Sequence, residues 1–168
     1  AGRAGLATDA DGNGRLDDAW QLVEAREDFV RLASGAAPRR VFGVARARST
    51  LQCRRSGPAD AGPFATPFVQ TVPTLAEMTR AALNVLAADP EGFALMVEGG
   101  AVDWACHDNR AARLVEEEQG FNEAVQAVID WTEATGRASA TLIVVTGDHE
   151  TGYLTRAAAG PGDLPWAY

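Results

Sequence analysis

No lysine occurs among the 168 residues; all fifteen cationic side chains are arginines. That excludes a lysine nucleophile, a Schiff base and a phosphate loop of the Gly-Lys-Ser type. A phosphate or carboxylate ligand must then be held by arginine, backbone amides or metal. Cysteine is nearly as scarce: Cys53 and Cys106 are too few for a disulfide framework, and two unpaired thiols are the default reading. No apolar stretch approaches the roughly 20 residues that span a bilayer, and residue 1 opens no recognisable secretory signal. The net charge of −8 argues against nucleic acid or anionic membrane as a partner, because both are bound through clustered positive charge. With 46% hydrophobic residues, the chain is long enough for one globular domain with a sizeable core.

Strand-like and helix-like segments alternate along the chain. An acidic turn at Asp17 or Asp18 leads into Trp20, Val23, Phe29, Val30 and Leu32, an apolar pattern that predicts a helix ending near Gly35. Val41 to Ala45 is a candidate buried strand, and the Arg-, Pro- and Gly-rich segment 46–73 reads as a long loop. Thr74 with Glu77 forms a capping box for the next helix, whose buried face is marked by Leu75, Met78, Ala82, Leu83 and Leu86. Phe93 to Val97 is a second strand, helices follow over about 103–118 and 121–134 with Gly136 as the stop, and Ala140 to Thr146 is a third strand. The class this predicts is α/β: a parallel sheet covered by helices on both faces.

The chain has only two histidines, and each lies near an aspartate. Asp103 and His107 are four apart, which on a helix puts both side chains on one face. Asp148 and His149 directly follow the third strand, and Glu98 directly follows the second. Residues just beyond strand ends are favoured for function in open parallel sheets. Imidazole and carboxylate together suit zinc, and Glu98 adds the oxygen-only donor that magnesium prefers. Asp108, Asn109, Glu150 and Thr151 crowd the same segments and are candidates for orienting the imidazoles, or are simply solvated. Glu116, Glu117 and Glu118 read as an exposed helical face, and Trp104, Trp131 and Trp166 as core or cleft-wall residues. Near the start, Asp9, Asp11, Asn13 and Asp17 place oxygen donors at alternate positions around a turn glycine. This suits a minimal calcium loop, but Trp20 occupies the closing-glutamate position, and a plain Asp/Asn/Gly turn fits as well.

Four motifs together resemble the carboxyl-side half of bacterial alkaline phosphatases, from about Arg40 to Leu154. They are Thr74-Leu-Ala-Glu-Met-Thr79, Gly92-Phe-Ala-Leu-Met-Val-Glu-Gly-Gly100, Val102-Asp103 with His107, and Val144-Val-Thr-Gly-Asp-His-Glu-Thr-Gly152. The resemblance implies an α/β hydrolase of phosphate monoesters that uses two zincs, one magnesium and a serine nucleophile. Carried over by motif, Asp103 and His107 would bind the zinc that activates the attacking water. Asp148 and His149 would bind the zinc that holds the serine, and Glu98 the magnesium. It also implies a periplasmic or secreted setting, small phosphate monoesters as substrates and a homodimer as an expected assembly.

Parts of the family pattern are absent. None of Ser34, Ser49, Ser56 and Ser139 sits in the family's Asp-Ser-Ala nucleophile segment, and the chain stops at Tyr168, before the third histidine of the first zinc. Residues 1–168 are therefore expected to be a single partial domain of a longer enzyme, inactive alone. Two other readings compete: another hydrolase of the same superfamily, such as a phosphodiesterase or sulfatase, and a non-enzymatic calcium module built on Asp9 to Asp17. The Met-Val-Glu-Gly-Gly segment favours the monoesterase.

Overall fold

The computed structural model describes residues 9, 12–15, 19–58 and 61–152. Strand β1 (Gln21–Val23) leads through helix α1 (Arg26–Leu32) to strand β2 (Val41–Gly43). The two strands run parallel, with Gln21, Leu22 and Val23 opposite Val41, Phe42 and Gly43. A parallel pair cannot be joined by a tight turn, and α1 supplies the crossover. Helices α2 (Leu75–Leu86), α3 (Ala101–His107) and α4 (Ala111–Ala134) follow, then a short 3₁₀ turn at Ala138–Ala140. The architecture is α/β.

The helix predicted across Trp20 to Gly35 is instead a strand followed by a helix. Val23 is buried in the ladder against Gly43, and its carbonyl accepts from Val44 N at 2.9 Å. Pairing with a distant strand therefore outweighs a local apolar spacing that suits either structure. The helix proper begins only after Ala25, whose amide donates to the Asp28 carboxylate.

Helix α2 starts as its capping box requires: Glu77 N donates to Thr74 Oγ1 at 3.1 Å, and Thr74 N donates to Glu77 Oε2 at 2.9 Å. Its most buried residues are Ala76, Thr79, Ala81 and Leu83. Of the face expected from spacing, Leu83 alone is fully buried. The reason is that α2 is packed on two sides. Ala81, Met78 and Val85 join Val23, Phe29 and Leu32, while Ala76 and Leu75 join Ala124 and Ala127 of α4. A single amphipathic stripe describes a helix with one neighbour, and α2 has two.

The two later helices break at 108–110 rather than near Gly120. Asn109 adopts the left-handed conformation with φ 50° and ends α3, while Gly120 lies inside α4 with open space beside it. Helix α4 stops where expected: Gly136 N donates to Glu133 O and Arg137 N to Thr132 O, the paired bonds of a Schellman ending.

The strands expected at Phe93 to Val97 and Ala140 to Thr146 form no ladder among the described residues. Val97 packs on the α2–α4 cluster, but Met96, Leu142 and Val144 are 86%, 88% and 72% exposed. A strand's amides and carbonyls need a neighbouring strand in register, and the two-stranded β1–β2 sheet does not extend to either run. The described residues of segment 46–73 form no helix or strand, as expected, yet the segment is not only a surface excursion. Cys53, Arg55, Thr66, Val72 and Pro73 are buried in it.

Candidate metal centre

Asp103 and His107 sit on one face of α3, with Asp103 Oδ2 and His107 Nε2 3.6 Å apart. Asp148 Oδ2 and His149 Nε2 are 3.4 Å apart on the segment that follows the third apolar run. Two donors on one tetrahedral zinc, each at ~2.0–2.2 Å, sit roughly 3.4 Å from one another. Both pairs therefore have the chemistry and spacing of half a tetrahedral zinc shell.

Thr151 joins the halves. Its hydroxyl donates to Asp103 Oδ1 at 2.6 Å and lies 3.1 Å from His149 Nδ1. The chain reaches this position through Gly152, whose φ is +81°; a Cβ there would lie 2.9 Å from the Cys106 carbonyl oxygen. Only glycine combines that conformation with so close an approach to α3. The Glu150 carbonyl, then the Asp148 carboxylate, hold the His149 imidazole above its usual pKa. Cys106 is a free, buried thiol pushed up by that burial and by the Asp103 carboxylate.

Glu98 stands apart from both pairs. Among the described residues no three of His, Cys, Asp and Glu converge closely enough to hold one ion. Glu98 instead lines a cavity of about 710 Å³ together with Gly99, Gly100, Trp104 and Glu117. Gly99 is needed where α4 presses in, because a Cβ there would lie 2.8 Å from the Phe121 ring.

Of the calcium candidates, Asp11 and Asp17 lie outside the described residues. Asp9 Oδ2 accepts from Gly14 N at 3.0 Å, and Asn13 Oδ1 accepts from Arg15 N at 2.8 Å. These are the bonds of an Asp/Asn turn.

Behind α3 lies a buried ion network. Glu116 is not on an exposed face: its carboxylate is fully buried, receiving Arg55 and Arg113 at 2.8 Å each and the amide of Phe64 at 2.7 Å. Burial alone would raise its pKa, yet the two guanidinium bonds and the amide bond hold it below the ordinary glutamate value. Arg55 also donates to the carbonyls of Gln52, Thr66 and Pro67. The neighbouring Arg54 guanidinium lies 4.4 Å over the Trp104 ring, between the two α3 ligand candidates. The long loop is thereby tied to α4 by charge and to α3 by a ring contact. Reading the residues in order misses this network, because no spacing links Arg54 and Arg55 to helices so far along the chain. A turn glycine after Asp-His-Glu-Thr was the one local signal that this segment folds back.

Comparison with known proteins places these features in context. A family model described as alkaline phosphatase matches residues 11–166. Alkaline phosphatase 3 of Bacillus subtilis (strain 168) is 40% identical over 89 residues, covering 53% of this chain and 19% of that protein. The repressible alkaline phosphatase of Saccharomyces cerevisiae is 41% identical over 88 residues, 49% of this chain and 15% of its own. The membrane-bound alkaline phosphatase of Bombyx mori is 42% identical over 79 residues, 47% and 14% respectively. Among solved structures, a cold-active alkaline phosphatase from the psychrophile Shewanella sp. aligns with a TM-score of 0.49 at 24% identity, covering 79% of this chain and 30% of that one. The chain spans less than a fifth of the length of each of the three sequence relatives. With the family pattern running from residue 11 to residue 166, this chain belongs to the alkaline phosphatase family.

Proposed function

We propose that the full-length protein hydrolyses phosphate monoesters at a centre of two zincs and one magnesium, with a serine nucleophile from a part of the protein not included in these residues. This chain would hold one zinc through Asp103 and His107, the other through Asp148 and His149, and the magnesium through Glu98. The observation that carries the reading is the pair of donor spacings, 3.6 and 3.4 Å, brought to one place by Thr151. Bound zinc would supply Lewis-acid stabilisation of the oxygens entering and leaving phosphorus in an in-line displacement.

The chain's own residues orient and charge that centre. Asp103 and Asp148 would contribute carboxylate oxygen, and His107 and His149 imidazole nitrogen, so each pair would offset part of a dication's charge without filling its shell. Trp104, held under Arg54, fixes the turn of α3 from which Asp103 and His107 project. Within these 168 residues, which hold no lysine, charge on the substrate phosphate could be met by arginine or backbone amides. A periplasmic or secreted location and a homodimeric state are part of the same proposal and rest on family membership.

Metal analysis and p-nitrophenyl phosphate hydrolysis by the full-length protein test it. We expect bound zinc with magnesium, hydrolysis abolished in His149→Ala, and no turnover by the 168-residue chain alone. Near-normal turnover of His149→Ala would refute the assignment, and calcium as the sole bound metal would favour the calcium-module reading.

A further inference from the structure

We infer that Arg54 is a specificity-determining residue whose guanidinium receives a second oxyanion of the substrate, a carboxylate or phosphate on the leaving group, so that the enzyme favours phosphate monoesters of alcohols that are themselves anionic. The inference rests on the metal-centre reading above and deepens it by naming a substrate class.

The two consecutive arginines of the long loop have opposite fates. Arg55 is turned inward, where the Glu116 carboxylate and the carbonyls of Gln52, Thr66 and Pro67 take its donors. That burial fixes the backbone on which Arg54 stands, and the Arg54 amide adds a bond to Thr50 Oγ1 at 3.3 Å. The Arg54 side chain is exposed, yet it is held in place: its guanidinium lies 4.4 Å over the Trp104 ring. A ring contact of this kind holds the cation by its charge and consumes none of its five N–H donors.

Those donors find no acceptor among the described residues. Arg26 pairs with Glu77, Arg31 with Asp28, Arg46 with Glu24, and Arg55 and Arg113 with Glu116, whereas Arg54 forms no ion pair there. The ring beneath it belongs to the residue directly after Asp103, three before His107 and so beside it on the helix surface. The same ring lines the cavity that Glu98 lines. A fixed cation without a counter-ion therefore stands beside residues assigned to the first zinc and the magnesium. Its sign matters, because a chain of net charge −8 repels a substrate that carries a further negative group. A guanidinium already held by a ring offers such a group a bidentate partner and loses little side-chain freedom on binding it.

The test is steady-state kinetics of the full-length protein on phenyl phosphate, meta-carboxyphenyl phosphate and meta-phenylene bisphosphate, which share an aryl leaving group and differ in the second anion. Arg54→Gln removes the charge, and Arg54→Glu reverses it. For at least one doubly anionic substrate, we expect kcat/KM relative to phenyl phosphate to fall about fivefold in Arg54→Gln, the upper end for an exposed charge pair. The loss should lie in KM with kcat kept, and it should be larger in Arg54→Glu. Whichever substrate is affected identifies the oxyanion as carboxylate or phosphate. An equal loss on all three substrates, as a role confined to holding Trp104 would give, overturns the inference. If the unmutated protein hydrolyses none of the three, the proposed function falls as well; if it hydrolyses them and the ratios are the same in both variants, this inference alone falls.

Discussion

The guanidinium of Arg55 and the carboxylate of Glu116 meet at 2.8 Å with side-chain exposures of 1% and 0%. The pair fastens an otherwise irregular loop to the second turn of α4. Arg113 shares the same carboxylate oxygen, so two buried cations depend on one anion.

Glu116→Gln is therefore expected to destabilise the protein by about 3–5 kcal/mol, the usual cost of leaving buried charge uncompensated. Denaturant unfolding of the full-length protein measures this. A pH dependence accompanies it. The folded-state pKa of Glu116 lies below the ordinary value of 4.5, so in the acidic window the unfolded chain binds more protons. Its contribution is complete above 4.5 and is lost as pH falls through the lower folded-state pKa. Glu77, lowered by Arg26 and the Thr74 amide against its burial, acts in the same direction. Stability profiles across pH 2 to 6, with and without Glu116→Gln, should differ by a shallower acid slope in the variant.

Gly152→Ala forces a side chain into the left-handed region and against the Cys106 carbonyl. The strain is about 1–3 kcal/mol, and the cheapest relief is release of the 148–152 segment from α3. Hydrogen exchange at Thr151 and Gly152 should rise while protection of α2 and α4 stays unchanged. Equal protection in the variant and the unmutated protein would show that this contact does not hold the segment.

Cys53 is fully buried, and burial raises its thiol pKa, followed by the nearby Glu117 and Asp108 carboxylates. A thiol that neither ionises readily nor meets solvent reacts slowly. Thiol titration should label Cys53 only under denaturing conditions, and rapid labelling of the native protein would contradict its placement.

Leu142 is 88% exposed in this structure, in the middle of an apolar run with no sheet partner among the described residues. Leu142→Ala should change the stability of the 168-residue chain by less than about 0.5 kcal/mol. In the full-length protein, where a run of this composition is expected to find a strand neighbour, the same change should cost about 2–5 kcal/mol. Equal effects in the two would show that the run stays uncovered.

The features legible in order along the chain are those that depend on near neighbours. The capping box at Thr74 and Glu77, the stop at Gly136 and the Asp103 to His107 spacing each involve residues within a turn or two, and each is found as expected; the strand expected to be buried over Val41 to Ala45 is found only at Val41–Gly43 and is not buried, Phe42 being 59% exposed. The failures involve distant partners. Val23 belongs to a strand because Gly43 is beside it, and Glu116 is buried because Arg55 reaches it.

The sequence by itself determined which residue types stand at which spacings: two aspartate–histidine pairs, a glutamate before paired glycines, and the order of motifs that marks the alkaline phosphatase family. Tertiary structure alone decided that one member of each pair, Asp103 and His149, touches the Thr151 hydroxyl. Asp103 and Thr151 lie far apart along the chain, and no local propensity brings a hydroxyl within 2.6 Å of a carboxylate across that distance. The fold does so by seating Gly152 on the end of α3, where only a residue without a side chain lets one backbone approach another so closely.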